Sequence, residues 1–253
     1  ENLAGKLQPK EPISVLMING TEDPLVRWDG GLIKLGRHEN GRVISVEKTV
    51  EFWIQAVGAG AVPKVEALPD ADPDDSTRVV RQAYSGGRRG TEVVLYKIVG
   101  GGHHWPARED TRGRLARGVV DRTIGRKSRD IDACEVIWEF CKAHPKAGRA
   151  ADAEKPPAPR GLNVGYRILD LKLPGGDQEK PLTVAVWYPT AAAPKDICYG
   201  GPTRSKVAVD AEILAEGGPW PLLVFSHGYG GSGLGAVFFT EALAARGWIV
   251  AAP

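Results

Sequence analysis

Residues 12–20, PISVLMING, are a short apolar run between a proline and an Asn-Gly pair, which predicts a strand covered on both faces. Over 45–57 the apolar positions recur at helical spacing, at Val46, Val50, Trp53, Ile54 and Val57, and Ser45 is placed to cap that helix. TRVVRQAY (77–84) and TEVVLYKIV (91–99) are β-rich runs on either side of SGGRRG, a turn-type connection. A second helix is expected over 130–143, with Ile131, Cys134, Ile137, Trp138 and Cys141 along one face.

HPKAGRAADAEKPPAPR (144–160) then breaks the pattern, rich in proline, alanine and charge with almost no large apolar residue. Beyond it, NVGYRILDLKL (163–173), LTVAVWYP (182–189) and PWPLLVFSHG (219–228) read as strands. FFTEALAARG (238–247) reads as a helix closed by Gly247, and WIVAAP starts another strand. Strands alternating with helices predict an α/β fold with a mostly parallel sheet flanked by helices. We read residues 1–145 as one module, 146–160 as a linker and 161–253 as a second module.

Composition narrows the function classes little. The 253 residues are 42% hydrophobic and 25% charged with a net charge of +2, ordinary for a globular chain and without the basic excess that nucleic acid or an anionic membrane attracts. No apolar run reaches the roughly 18 residues of a membrane helix. No basic-then-apolar leader opens the sequence, which begins at Glu1. Cys134 and Cys141 would lie about 10 Å apart along one helix, too far to bridge. Cys198 stands apart, and no Cys/His spacing suggests zinc. No metal or cofactor is expected. The stretch 108–129 holds eight Arg/Lys against three acids and is expected to be a solvated loop.

The chemistry-bearing residues sit at strand ends. IVGGGHHWPA (98–107) places His103 and His104 behind three glycines at the end of a strand, where open α/β sheets build their sites. A histidine base needs a carboxylate to orient it, and Asp23 in INGTEDPLV follows the first strand in the same way. On spacing alone, a structural turn histidine, and an aspartate that only forms the turn before Pro24, outweigh the catalytic reading.

NGTEDPLVRWDGG (19–31), GGGHHWPA (100–107) and SRDIDACEVIWEFCKAHP (128–145) together resemble the C-terminal half of the polyhydroxybutyrate depolymerase and feruloyl/acetylxylan esterase family. That resemblance implies an α/β-hydrolase with a Ser–Asp–His triad, whose acid falls on Asp23 and whose base falls on His103. It leaves His104 at a variable position and makes Trp28 and Trp105, beside the two turns, candidate pocket walls. A nucleophile should precede the acid on a G-x-S-x-G elbow. The one earlier serine, Ser14, lies inside the first strand, and Ser85 in AYSGG follows the acid in a hairpin turn.

PLLVFSHGYGGSGLGAVFFTEALAARGWIVAAP (221–253) resembles the N-terminal part of platelet-activating-factor acetylhydrolase and dienelactone hydrolase-like enzymes. There the HGYGG loop (227–231) would give backbone N–H groups of Tyr229 and Gly230 to an oxyanion, with His227 shaping the loop. The two resemblances imply two partial α/β-hydrolase modules, a serine esterase lacking its nucleophile within these residues, and an ester substrate. They imply no nucleic acid, membrane or cofactor, and an extracellular or periplasmic location. The alternative is a non-catalytic module that binds a polymer or carbohydrate.

Overall fold

A computed structural model describes residues 9–35, 38–107, 121–145, 161–173, 180–200, 203–226 and 232–253. The chain divides into two compact units, Glu1–Ala153 and Glu154–Pro253.

In the first unit the elements run β1 (Val15–Gly20), β2 (Gly31–Leu35), β3 (His38–Val43), α1 (Val46–Val57), β4 (Lys64–Ala67), β5 (Arg78–Tyr84), β6 (Val93–Val99) and α2 (Ala133–Ala143). Four of the strands form a sheet in the order β1-β6-β5-β4, while β2 and β3 make a separate antiparallel ribbon. β1 runs parallel to β6, with Gly20 level with Ile98, whereas β5 pairs antiparallel with both β6 and β4. The sheet is therefore mixed, where alternating strands and helices predict a mostly parallel one. The cause is local: a connection as short as 85–92 can only return a chain antiparallel, since a parallel partner needs a crossover of a dozen residues or more.

Strand alternation sorts the core into two layers. Val15, Met17, Val93 and Leu95 face α1 and pack with Val46, Val50 and Val57. Ile18, Tyr96, Ile98 and Val79 face the other way, against Ile131 and Val136. Ser45 caps α1 through its Oγ, which accepts from Lys48 N at 3.2 Å, and Gly58 ends it with φ 74°. Asp132 Oδ1 accepts from Cys134 N and Glu135 N and so starts α2. Polar side chains tie the intervening loops together under the sheet. Asp75 Oδ1 accepts from Thr77 N and from the Thr77 hydroxyl, and Asp75 Oδ2 accepts from Arg129 N, each at 2.7 Å.

The second unit contains β7 (Asn163–Leu173), β8 (Lys180–Thr190), β9 (Lys195–Gly200), β10 (Thr203–Val209), β11 (Leu222–Val224), α3 (Val237–Ala244) and β12 (Ile249–Ala252). Its sheet is ordered β11-β12-β8-β7-β10-β9 and is again mixed, with the long β7–β8 antiparallel pair at its centre. Trp187, Tyr199, Val207, Ala244 and Ala252 form its core, and Trp187 Nε1 donates to Tyr199 Oη at 2.8 Å. The pair β9–β10 is not foreseen by the apolar pattern, and β11 is shorter than the expected 219–228.

Candidate active site

The two turns that follow β1 and β6 are built against each other, backbone on backbone. Gly20 has no room for a side chain, because a Cβ there would overlap the carbonyls of Gly101 and Gly102. Glu22 N donates to Gly101 O, Thr21 N to Ile98 O, and Gly100 N to Thr21 Oγ1, each at 2.9 Å. Gly100 takes φ 75°, a conformation glycine adopts without steric cost. The parallel register of β1 and β6 thus sets both turns level, and the glycines let them touch.

Asp23 is buried in the first turn. Its Oδ1 accepts from Leu25 N and Val26 N, both at 2.8 Å, which fixes the carboxylate and leaves Oδ2 to point outward. His103 Nδ1 lies 2.8 Å from Asp23 Oδ2. Since the carboxylate can only accept, Nδ1 donates and the neutral imidazole carries its lone pair on Nε2. Among the described residues Nε2 has no hydrogen-bond partner. The hydrogen bond to Asp23 raises the His103 pKa above the ordinary imidazole value of 6.5; partial burial works against this, and the charge of Asp23 reinforces it.

A cavity of about 380 Å³ opens beside the pair, with Leu16, Ile18 and Ile137 as apolar walls and Trp105 and Arg126 among the larger polar or aromatic ones. Trp105 therefore stands where its neighbourhood to His103 suggests. Trp28 does not. It lines a separate cleft beside α1, where its Nε1 lies 3.4 Å from Glu47 Oε1 and the Lys97 ammonium sits 4.8 Å from its ring centre. Its backbone carbonyl accepts from Val46 N at the start of α1. The backbone of Tyr229 and Gly230, with the rest of the HGYGG loop, lies outside the described residues.

Two serines bear on where the expected nucleophile would lie. Ser85 sits at the other end of the sheet, since Tyr84 is level with Val93, and β6 spans about 20 Å from there to Val99. Its Oγ donates to Glu92 Oε2 at 3.1 Å. Ser128 does line the cavity, a position no motif singled out, but it is buried and its Oγ lies 2.8 Å from Thr77 Oγ1. The Thr77 proton goes to Asp75, so the hydrogen between Thr77 and Ser128 comes from Ser128 and is committed there. Among the described residues no group of three or more His, Cys, Asp or Glu side chains could hold a metal ion, and no helix is long and apolar enough to cross a membrane.

An imidazole oriented by a buried carboxylate, in a residue that lines a cavity, can accept a proton from a group held there. A curated protein from Nocardia uniformis subsp. tsuyamanensis, named "Putative esterase NocK", is 31% identical to this chain over 133 residues, covering 50% of this chain and 38% of that protein. The chain thus has an esterase-like relative and spans well under half of that relative's length. No family model and no solved structure matches the chain.

Proposed function

We propose that the first unit supplies the base and the orienting acid of a serine-type carboxylic ester hydrolase, of the polyhydroxybutyrate depolymerase and feruloyl/acetylxylan esterase kind. The observation that carries this reading is the 2.8 Å contact between His103 Nδ1 and Asp23 Oδ2, with Nε2 left for a substrate-side proton. The esterase-named relative supports the reaction class.

In this scheme a serine hydroxyl outside the described residues gives its proton to His103 Nε2 as its oxygen bonds to the ester carbonyl carbon. Nε2 returns that proton to the departing alcohol. Water then repeats the cycle on the acyl-serine, which releases the carboxylic acid and restores the hydroxyl. Asp23 holds the tautomer throughout and steadies the imidazolium. The backbone of Tyr229 and Gly230 would serve as the oxyanion donors of the second unit's own hydrolase half. The substrates that fit are polyesters, small esters and ester-decorated polysaccharides.

Because no described serine reaches Nε2, the 253-residue chain is expected to hydrolyse p-nitrophenyl butyrate slowly and without a burst. The slow rate should rise with pH through the raised His103 value and should disappear in His103→Ala. A rate untouched by His103→Ala would overturn the base assignment. A burst blocked by a fluorophosphonate would instead place a nucleophile within this chain.

A further inference from the structure

The segment 121–126 lies across the His103 turn. It begins with one helical turn, 121–124, and it is joined to the turn by Gly102 N donating to Arg126 O at 2.8 Å and His103 N donating to Ile124 O at 2.6 Å. Gly101 and Arg126 form an isolated parallel bridge. Gly102 and Gly125 meet Cα to Cα, and neither position has room for a Cβ. The same segment reaches the acid turn, where Arg126 pairs with Glu22 at 3.1 Å. One short segment therefore touches both the turn that carries Asp23 and the turn that carries His103.

What fastens it by a side chain is His104, whose Nε2 lies 2.9 Å from Gly125 O. The carbonyl is an acceptor, so Nε2 donates. The His104 side chain is almost fully buried, and Asp121 Oδ1 stands 3.9 Å from the same nitrogen. The buried imidazole donates to the carbonyl of Gly125, which packs against Gly102 just before His103. The second histidine of the pair thus has a task that its position next to the first does not reveal.

We propose that His104 is a positioning residue: by holding Gly125, it clamps residues 121–126 over the His103 turn and so sets the Asp23–His103 contact. This rests on the reading of His103 as the base, and it can fail without that reading failing. The charged groups around the clamp are Asp121 on the segment itself, the Arg126–Glu22 pair across the two turns, and Asp23 beneath.

The test is an NMR titration of the His103 ring in the full chain, together with the exchange rate of the His103 amide bonded to Ile124. In His104→Ala the His103 midpoint should fall toward 6.5, and its amide should exchange faster. In His104→Gln a side-chain N–H can again reach Gly125 O, and both readouts should return to the wild-type values. Should His104→Ala fail to fold, His104→Gln decides alone, since wild-type values there support the clamp and alanine-like disorder overturns it. An unchanged His103 midpoint in a folded His104→Ala overturns the clamp while Asp23→Asn still lowers that midpoint. If Asp23→Asn also leaves it unchanged, the acid–base reading falls and takes the clamp with it.

Discussion

At the carboxyl end of β6, His103 meets Asp23 through Nδ1 at 2.8 Å; at the amino end, His144 meets Glu92 through Nε2 at 3.0 Å. Both are imidazole–carboxylate pairs in one unit, and each carboxylate is largely covered. They differ in what the second ring nitrogen does. His144 Nδ1 is 2.7 Å from Phe140 O, and its ring lies against Phe140 with centroids 4.3 Å apart, so this histidine closes the end of α2 and both nitrogens are engaged. His103 spends one nitrogen on Asp23, its other has no hydrogen-bond partner among the described residues, and the residue lines a cavity. A carboxylate beside a histidine closes a helix end at His144 and, in the reading proposed above, serves chemistry at His103. The open nitrogen separates them, not the pair itself.

The largest effect expected from perturbing this contrast is at the backbone. Gly102→Ala forces a Cβ into the Gly125 backbone, which no side-chain rotation relieves, and should destabilise the first unit by about 3 kcal/mol. Denaturant unfolding of the full chain measures it. The His144–Glu92 pair lies at the opposite end of β6 and should persist in the folded fraction. A Gly102→Ala protein as stable as wild type would mean that the His103 turn and the 121–126 segment are free to separate.

Removing the acid comes next. Asp23→Ala leaves Leu25 N and Val26 N without their acceptor as well as His103 without its partner, a loss of about 2 kcal/mol. Asp23→Asn can keep the two backbone bonds through its amide oxygen and should cost less. Both variants should lower the His103 titration midpoint. The sign for stability follows from the raised folded-state value: the pair's contribution is complete below the ordinary imidazole value of 6.5 and is lost as pH rises through the higher folded value. Wild type should therefore lose more stability than Asp23→Asn across that interval. Parallel pH profiles would remove the pair as a source of stability.

How much of this could be read from the sequence depends on whether a side chain or the backbone carries the signal. PISVLMING, the 45–57 periodicity and the two β-runs around SGGRRG correspond to β1, α1 and the β5–β6 pair, because burial on known faces imposes a period. Asp23 and His103 could be placed at strand ends, and the structure brings them together. β4 escaped because KVEA is exposed along its whole length and carries no period. Strand direction escaped because alternation is the same in parallel and antiparallel pairs. Trp28 was misplaced because its ring packs beside Glu47 and Lys97, residues far along the chain that no local pattern connects to it. Most of the clamp by 121–126 is invisible because it is made of carbonyls and glycine contacts, with His104 and the Arg126–Glu22 pair as its side-chain parts.

A smaller change tests the other end. Glu92→Gln weakens the His144 contact and should lower stability by about 1 kcal/mol or less, since the pair is partly solvated. It should leave the His103 midpoint where it is. A shift in His103 on changing Glu92 would show that the two ends are coupled through β6, and the contrast drawn above would lose its basis.

Ser85→Ala is the smallest change and the most discriminating about chemistry. Ser85 is the one serine whose AYSGG setting approaches an elbow, and Glu92 binds both it and His144, a carboxylate shared between a hydroxyl and an imidazole. In a working triad the hydroxyl would face the imidazole and the carboxylate would sit behind it. Here the carboxylate stands between them, so no nitrogen is positioned to take the Ser85 proton. The contact is exposed, and its removal should change stability by no more than about 0.5 kcal/mol. Any hydrolysis of p-nitrophenyl butyrate should be the same in Ser85→Ala as in wild type and should fall only when His103 is replaced. If activity instead followed Ser85, the amino end of β6 would be the reactive one, and the open nitrogen of His103 would not be what distinguishes the two ends.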